Sequence, residues 1–203
     1  MTELKIISPG PAARSDISDG RRQRSERSRA QIIEAMFSLI REGEMSPSAA
    51  RVAARAEVGL RTVFRHFEDM DSLYVEMAER ISSEVMPKIL APFEASEWRE
   101  RFFEHIARRI EIYEHIMPVR VSANLRRFQS RFLMEEYRRG LLIERSTLKA
   151  LLPEEINNDP VLFAAIETSA SFQTWRRLRQ DSDLAPNEAG VVFRLMLERL
   201  LGA

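Results

Sequence analysis

Apolar residues return every three or four positions along most of this chain, and this spacing constrains its fold more than any other feature. The run of Ala30, Ile33, Phe37 and Ile40 is one example, and it gives a helix with one buried face. Prolines and glycines separate such runs, and no strand pattern or internal repeat stands out. The sequence therefore predicts an all-α fold.

Start and stop signals divide the periodic region into helices. The first helix ends near Gly43, and Ser46 with Pro47 begins a short second helix that runs to Arg55. Positions 56–59 interrupt the pattern, and a third short helix follows, up to Phe67. Caps and prolines, including a stop before Pro118, predict the remaining helices at about 72–90, 97–115, 119–126, 129–151, 160–180 and 187–201.

The chain has 203 residues, which suits a small module joined to a larger helical body. Positions 1–28 have no hydrophobic period and predict a disordered arm with a basic end. Positions 29–71 form the small module, and positions 72–203 form the body. One continuous fold is the alternative.

Positive charge is concentrated near the small module, although the formal net charge of the chain is zero. Ten arginines and five glutamates lie between Arg21 and His66, a local net charge of +5. The rest of the chain is acidic by the same amount. This asymmetry is typical of nucleic-acid binding, and an ordinary solvated helical surface is the alternative.

Several function classes lack their usual residues. Without cysteine, the chain has no disulfide, thiolate nucleophile or cysteine zinc site. Its three histidines, His66, His105 and His115, are too far apart for an i, i+4 metal pair, and no glycine cluster suits a phosphate-binding loop. We expect no catalytic residues, no metal and no cofactor. No apolar run is long enough to cross a membrane and no signal peptide is visible, so a cytoplasmic protein is expected.

Positions 29–73 carry an ordered set of features: a helix-ending glycine, a hydroxyl-rich start to the second helix, an aliphatic pair, a turn and an aromatic third helix. They are Gly43, Ser48, Val52 with Ala53, the turn 56–59 and the segment 62–67, continued by Asp71 and Leu73. This order resembles the DNA-binding domain of TetR-family transcriptional regulators, over about 45 residues. Glu57 stands where that family commonly has glycine, so the turn must accept a side chain there or bend differently.

The resemblance implies a helix-turn-helix in which the third helix enters the major groove of DNA, a groove about 12 Å wide. Arg61 is the best candidate for reading bases, and Arg65 for bases or phosphate. Val58, Val63 and Phe67 are expected to fix the helix on the first one. The expected DNA contacts are Ser46, Ser48, Arg51, Leu60, Arg61, Thr62, Phe64, Arg65 and His66.

For the larger body, the resemblance implies a homodimer formed by the helices at 160–180 and 187–201, which would bind an inverted-repeat operator in double-stranded DNA. It also implies a repressor that is released by a small apolar or anionic ligand. Candidate pocket residues are Phe103, Tyr113, Phe132, Tyr137 and Trp175. The alternative is a ligand-independent, dimeric, architectural DNA-binding protein. A fully packed body would favour that alternative, and a cavity among the central helices would favour ligand control.

Overall fold

The computed structural model describes residues 12–202, with side chains from residue 22 onward. Over this range the chain consists of helices joined by short loops, without a strand, which confirms the predicted all-α fold class. The chain divides into two compact units, one ending at Met70 and the other beginning at Asp71.

Ten α-helices lie in the described range, and the ninth continues into a π-helical turn at Arg177–Asp181. They are α1 (Ala12–Arg41), α2 (Ala49–Arg55), α3 (Leu60–His66), α4 (Met70–Leu90), α5 (Trp98–Arg126), α6 (Arg131–Leu151), α7 (Glu154–Asn157), α8 (Pro160–Ser169), α9 (Phe172–Arg176) and α10 (Pro186–Leu200).

In the first unit, α1 packs against α2 and α3. Ile32, Met36 and Ile40 of α1 and Val52 of α2 are fully buried. Gly43 ends α1 in the left-handed conformation, at φ +99°. The Gly43 amide donates to the Ile40 carbonyl at 3.1 Å and the Glu44 amide to the Leu39 carbonyl at 3.0 Å, an arrangement that favours glycine.

The first helix begins earlier than the sequence indicates. A disordered arm was expected over positions 1–28, but α1 is already helical at Ala12, so that prediction is wrong from this residue on. Positions 1–11 lie outside the described residues. Residues 22–27 are exposed, and an exposed helical segment needs no apolar period. Arg22 and Glu26, four positions apart, pair at 3.0 Å and support the helix.

The core of the second unit lies among α5, α8, α9 and α10. Its largest fully buried side chains include Phe102, Phe172, Trp175 and Phe193. Trp175 and Phe193 meet edge to face, with ring centroids 5.7 Å apart. A second such contact, between Tyr113 and Phe172 at 5.5 Å, joins α9 to α5, which carries side chains of the candidate site described below.

Pro118 does not end α5, contrary to the prediction of separate helices at 97–115 and 119–126. A proline inside a helix removes one backbone hydrogen bond and is costly there. Burial of Met117, Val119 and Ser122 on both sides of it offsets that cost. The Ser122 hydroxyl also bonds to Tyr74 Oη at 2.8 Å, which attaches this end of α5 to α4.

The helix predicted at 160–180 is interrupted. α8 ends at Ser169, and α9 begins after Ser171, whose Oγ accepts a hydrogen bond from the Thr174 amide at 3.3 Å. The interruption leaves the Ala170 carbonyl available to side chains of α5. A serine that can cap a helix is also common inside one, so its position in the sequence alone did not indicate the break.

Candidate nucleic-acid interface and ligand cavity

A tight turn joins α2 to α3. α2 begins after Ser48, whose Oγ accepts from the Arg51 amide at 3.3 Å. At its other end Glu57 has φ +54°, and the Val58 amide donates to the Ala53 carbonyl at 3.0 Å. The turn therefore keeps the left-handed geometry that suits glycine, and it accepts the Glu57 side chain in that geometry.

One side of α3 is open to solvent. Arg61 and Arg65 lie one helical turn apart, both are exposed, and neither forms an ion pair within the described residues. Leu60 and Phe64 are 45% and 49% exposed, although both are large and apolar. We call these four residues the α3 surface. It offers two cations and two apolar groups to a partner.

The other side of α3 is fixed on α1. Val63 and Phe67 are buried, as expected, and Val58 is half-buried. Arg29 of α1 donates from Nη1 to the His66 carbonyl at 3.2 Å, and its guanidinium lies 4.9 Å from the centre of the Phe67 ring. A cation at this end of α3 also complements the helix dipole. The α3 surface is thus carried on a helix held at its end.

Thr62 and His66 are half-buried between these two sides of α3. Burial, with the positive charges of Arg65 and Arg29, lowers the pKa of His66, so the imidazole is neutral at pH 7. A neutral ring contacts phosphate through a hydrogen bond and adds no charge.

The predicted DNA contacts at the start of α2 and within it include an arginine that is already paired, unlike those of α3. Ser46 and Ser48 are exposed, but Arg51 is paired with Glu44, with 3.0 Å between Nη2 and Oε2. Its neighbour Arg55 pairs with Glu42 at 2.5 Å, and this contact lowers the pKa of Glu42 to about 2. Arg51 can reach phosphate only by exchanging its glutamate partner. Exposed pairs of this kind are weak.

A cavity of about 750 Å³ lies in the second unit, lined by residues of α4, α5 and α6. Most of its wall is apolar, with Val85, Met86 and Ile89 from α4 and Ile112 and Ile116 from α5. This volume is within the range of sites that enclose small organic molecules.

Three of the five predicted pocket residues, Tyr113, Phe132 and Tyr137, line this cavity. The other two, Phe103 and Trp175, do not line it, contrary to the prediction. Phe103 packs against the aromatic core with the Arg194 guanidinium 4.4 Å from its ring centre. Trp175 is fully buried in that core, and its Nε1 donates to Glu114 at 3.0 Å.

A buried arginine, Arg109 of α5, lines the cavity and is 5% exposed. It donates to four neutral acceptors: His105 Nε2 at 3.0 Å, the Ala170 carbonyl at 3.0 Å, Thr147 Oγ1 at 2.9 Å and the Glu144 carbonyl. Burial and the positive charge of Arg109 lower the pKa of His105 to about 3. The histidine is therefore an uncharged partner.

Three more polar side chains lie beside Arg109. Arg120 pairs with the Glu144 carboxylate at 2.6 Å, and its guanidinium lies 4.2 Å from the Phe172 ring centre. Tyr113 donates to the Ala170 carbonyl at 3.2 Å, and burial raises the pKa of its hydroxyl, which stays protonated. We call Arg109, His105, Tyr113, Arg120 and Glu144 the buried cluster.

Sequence reasoning placed only Tyr113 of the buried cluster in a pocket. A signal was present, because His105, Arg109 and Tyr113 follow one another at intervals of four and therefore lie on one face of α5. That face also carries Phe102 and Ile106, which are buried. A charged residue within an apolar stripe of this kind indicates a buried polar site.

Within the described residues, no group of histidine, aspartate and glutamate side chains could hold a metal ion. A search of the same residues found no helix long and apolar enough to span a membrane.

The fold is similar to those of two solved structures. A transcriptional regulator from Rhodococcus sp. Rha1 matches with a TM-score of 0.62 at 16% identity, over 87% of this chain and 95% of that one. A TetR-family transcriptional regulator from Haemophilus influenzae RD matches with a TM-score of 0.50 at 20% identity, over 85% of this chain and 93% of that one. No protein-family model and no curated protein matches. At these identities the likeness establishes a shared fold.

Proposed function

We propose that this chain is a TetR-family transcription regulator, a homodimer that binds an inverted-repeat DNA operator and is released from it by a small ligand. The observation that carries the proposal is the α3 surface: two unpaired arginines, one turn apart, on a short helix that follows a tight turn. A repressor that acts on DNA in this way works in the cytoplasm.

The α3 surface supports base reading in the major groove. A guanidinium can donate to both acceptors of guanine, and exposed apolar groups such as Leu60 and Phe64 can contact thymine methyl groups. Arg61 is the proposed base reader, and Arg65 contacts base or phosphate. Thr62, His66, Ser46 and Ser48 hold the backbone. Their partial or full exposure is consistent with these roles.

The basic N-terminal part of α1 adds phosphate contacts in this proposal. Arg22, Arg24 and Arg27 are exposed on a helix, whereas a disordered arm had been expected. A helix holds its cations at fixed spacing, so they contact phosphates in one register, and each contact adds to the salt dependence of binding.

Dimerisation is proposed through α8 and α10, which pack against each other. Val161 on α8 is 79% exposed, and Val191 and Leu195 on α10 are 67% and 47% exposed. Ala164 and Thr168 keep the outer side of α8 small. Exposed apolar groups on two adjacent helices favour burial against a second copy, and a dimer presents two α3 surfaces to successive major grooves.

Ligand control is favoured over the architectural alternative by the cavity among α4, α5 and α6. A DNA-binding protein without a ligand has no need of a largely apolar cavity of about 750 Å³, because cavities cost packing energy. Tyr113, Phe132 and Tyr137 are the proposed aromatic contacts of the ligand.

The test is selection of genomic DNA fragments by the purified protein, followed by sequencing of the bound pool. We expect one inverted repeat to be enriched, and the enrichment to be lost when Arg61 and Arg65 are both changed to alanine. Arg138→Ala is the matched control, because Arg138 is an exposed arginine on α6, in the second unit. Sequence-indifferent binding that survives the double change would contradict the proposal and favour the architectural alternative.

A further inference from the structure

Arg109 differs from every other arginine around the cavity. Arg108 pairs with Glu104, Arg120 with Glu144 at 2.6 Å, and Arg139 with Glu136 at 3.0 Å. Arg109 is the deepest of the four, and no described carboxylate lies within ion-pairing distance of it.

The acceptors around Arg109 satisfy its hydrogen bonds without neutralising its charge. Four of its five N–H groups are used, and one on Nη1 remains. The buried cluster then holds two guanidiniums and one carboxylate, with an uncharged histidine and tyrosine, so it carries one excess positive charge. Glu79, the remaining carboxylate of the lining, is exposed at the rim and is screened by solvent.

A buried charge without a counter-ion is costly, and an anion that enters the cavity would remove that cost. We propose that the cavity binds an amphipathic anion: a carboxylate or similar head group at Arg109, with an apolar body along α4 and α5. This inference rests on the proposed function and names the chemical class of its ligand.

His105 supports the same head group. Because its Nε2 accepts from Arg109, the ring proton lies on Nδ1, for which the described residues provide no acceptor. Both residues line the cavity, so the proposal assigns the head group to the remaining N–H of Arg109 and to the N–H of His105. The apolar body lies against Val85, Met86 and Ile116, which form part of the wall.

The experiment compares three probes that share one ten-carbon chain: decanoate, 1-decanol and decylammonium. Isothermal titration calorimetry with the full chain, below the micelle concentrations of the probes, gives each dissociation constant. We expect decanoate to bind at least about tenfold more tightly than decanol, because charge-assisted hydrogen bonds are stronger than neutral ones. Equal binding of decanol, tighter binding of decylammonium, or no binding of any probe would overturn the inference.

Variants assign the preference to one side chain. Arg109→Met should abolish the preference for decanoate, and Arg109→Lys, which keeps the charge, should retain most of it. Arg139→Met is the matched control, because Arg139 lines the rim and is already paired. A preference that survives Arg109→Met would overturn the assignment. If Arg109→Met does not fold, the comparison of the three probes on the wild type and on Arg109→Lys still tests the inference.

Operator binding, measured separately by fluorescence anisotropy, distinguishes the two proposals. A chain that prefers decanoate but binds no operator retains the ligand inference and contradicts the proposed function. A chain that binds an operator and does not prefer decanoate retains the function and overturns the ligand inference.

Discussion

The arginines of the α3 surface and Arg109 of the cavity are the same residue type in opposite surroundings. Arg61 and Arg65 are exposed, and salt in the solvent screens exposed charges of this kind. Arg109 is 5% exposed, and four fixed, neutral acceptors hold it in place. The first two can exchange counter-ions for a long polyanion. The third can be reached only by a molecule small enough to enter the cavity.

Under the two proposals, this difference lets one chain separate the recognition of DNA from the recognition of a small anion. An exposed cation contributes little to folding, so it can be selected for binding alone. A buried cation needs its hydrogen bonds satisfied within the fold, and the acceptors that satisfy them also fix its position. Changes at the α3 surface should therefore alter binding, and changes at Arg109 should alter stability.

The largest expected effect is on DNA affinity at the α3 surface. Arg61→Ala should weaken binding to the selected operator by about 4 kcal/mol, roughly a thousandfold, because each of two subunits loses a bidentate base contact. Fluorescence anisotropy at fixed salt measures this loss. Thermal unfolding of the variant should match that of the wild type.

Arg51→Ala is the informative partner variant. Arg51 is already paired with Glu44, so its removal should weaken operator binding far less than the removal of Arg61. Equal losses from the two variants would show that α2 contributes to DNA binding as strongly as α3 does, and that unpaired arginines have no special role.

The next effect is on folding, at Arg109. Arg109→Met removes four buried hydrogen bonds, a loss that is partly offset because the uncompensated charge is also removed. We expect the free energy of unfolding to fall by about 3 kcal/mol, measured by urea denaturation. Arg61→Met, on the exposed surface, should change it by less than about 0.5 kcal/mol. A variant at Arg109 as stable as the wild type would show that the acceptors do not hold this side chain.

Local sequence signals were enough to predict the turn before α3 and the exposed side of α3. Gly43, Ser48 and the turn 56–59 lie next to the helix ends that they cap, so their meaning depends on neighbours a few positions away. The exposure of Arg61 and Arg65 then follows from the burial of Val63 and Phe67 on the other side of a short helix.

The buried cluster depends on contacts between segments that are distant in sequence. Arg109 contacts Thr147 and Ala170, which lie 38 and 61 positions away, and nothing near Arg109 in sequence indicates those acceptors. Pro118 shows the same limit: its local preference is to end a helix, and packing along α5 overrides that preference. Phe103 and Trp175 were predicted as pocket residues because they are aromatic. Residue type alone does not distinguish a cavity wall from a core.

Because His105 is also buried, we expect the free energy of unfolding to depend on pH through this residue. Its folded-state pKa of about 3 is below the unfolded value near 6.5, so folding favours the neutral ring. The stabilisation is complete above pH 6.5 and is lost as the pH falls towards 3, by about 2 kcal/mol between pH 7 and 5. Urea denaturation at both pH values measures it. His105→Gln keeps an acceptor for Arg109 and should remove most of this difference, while a variant with an unchanged pH dependence would assign it to other groups such as His66.

The smallest expected effect concerns the turn between α2 and α3. It tests whether DNA binding by the α3 surface depends on backbone strain in that turn. Glu57 occupies φ +54°, where an L side chain is strained and glycine is not. Glu57→Gly should therefore raise the free energy of unfolding by about 1 kcal/mol, measured by urea denaturation, with operator affinity unchanged. Glu34→Gly, an exposed position inside α1 with ordinary helical geometry, should lower it by a similar amount. If Glu57→Gly stabilised the unit and also weakened operator binding, the strained turn would be part of the reading surface, and exposure alone would no longer explain the action of Arg61 and Arg65.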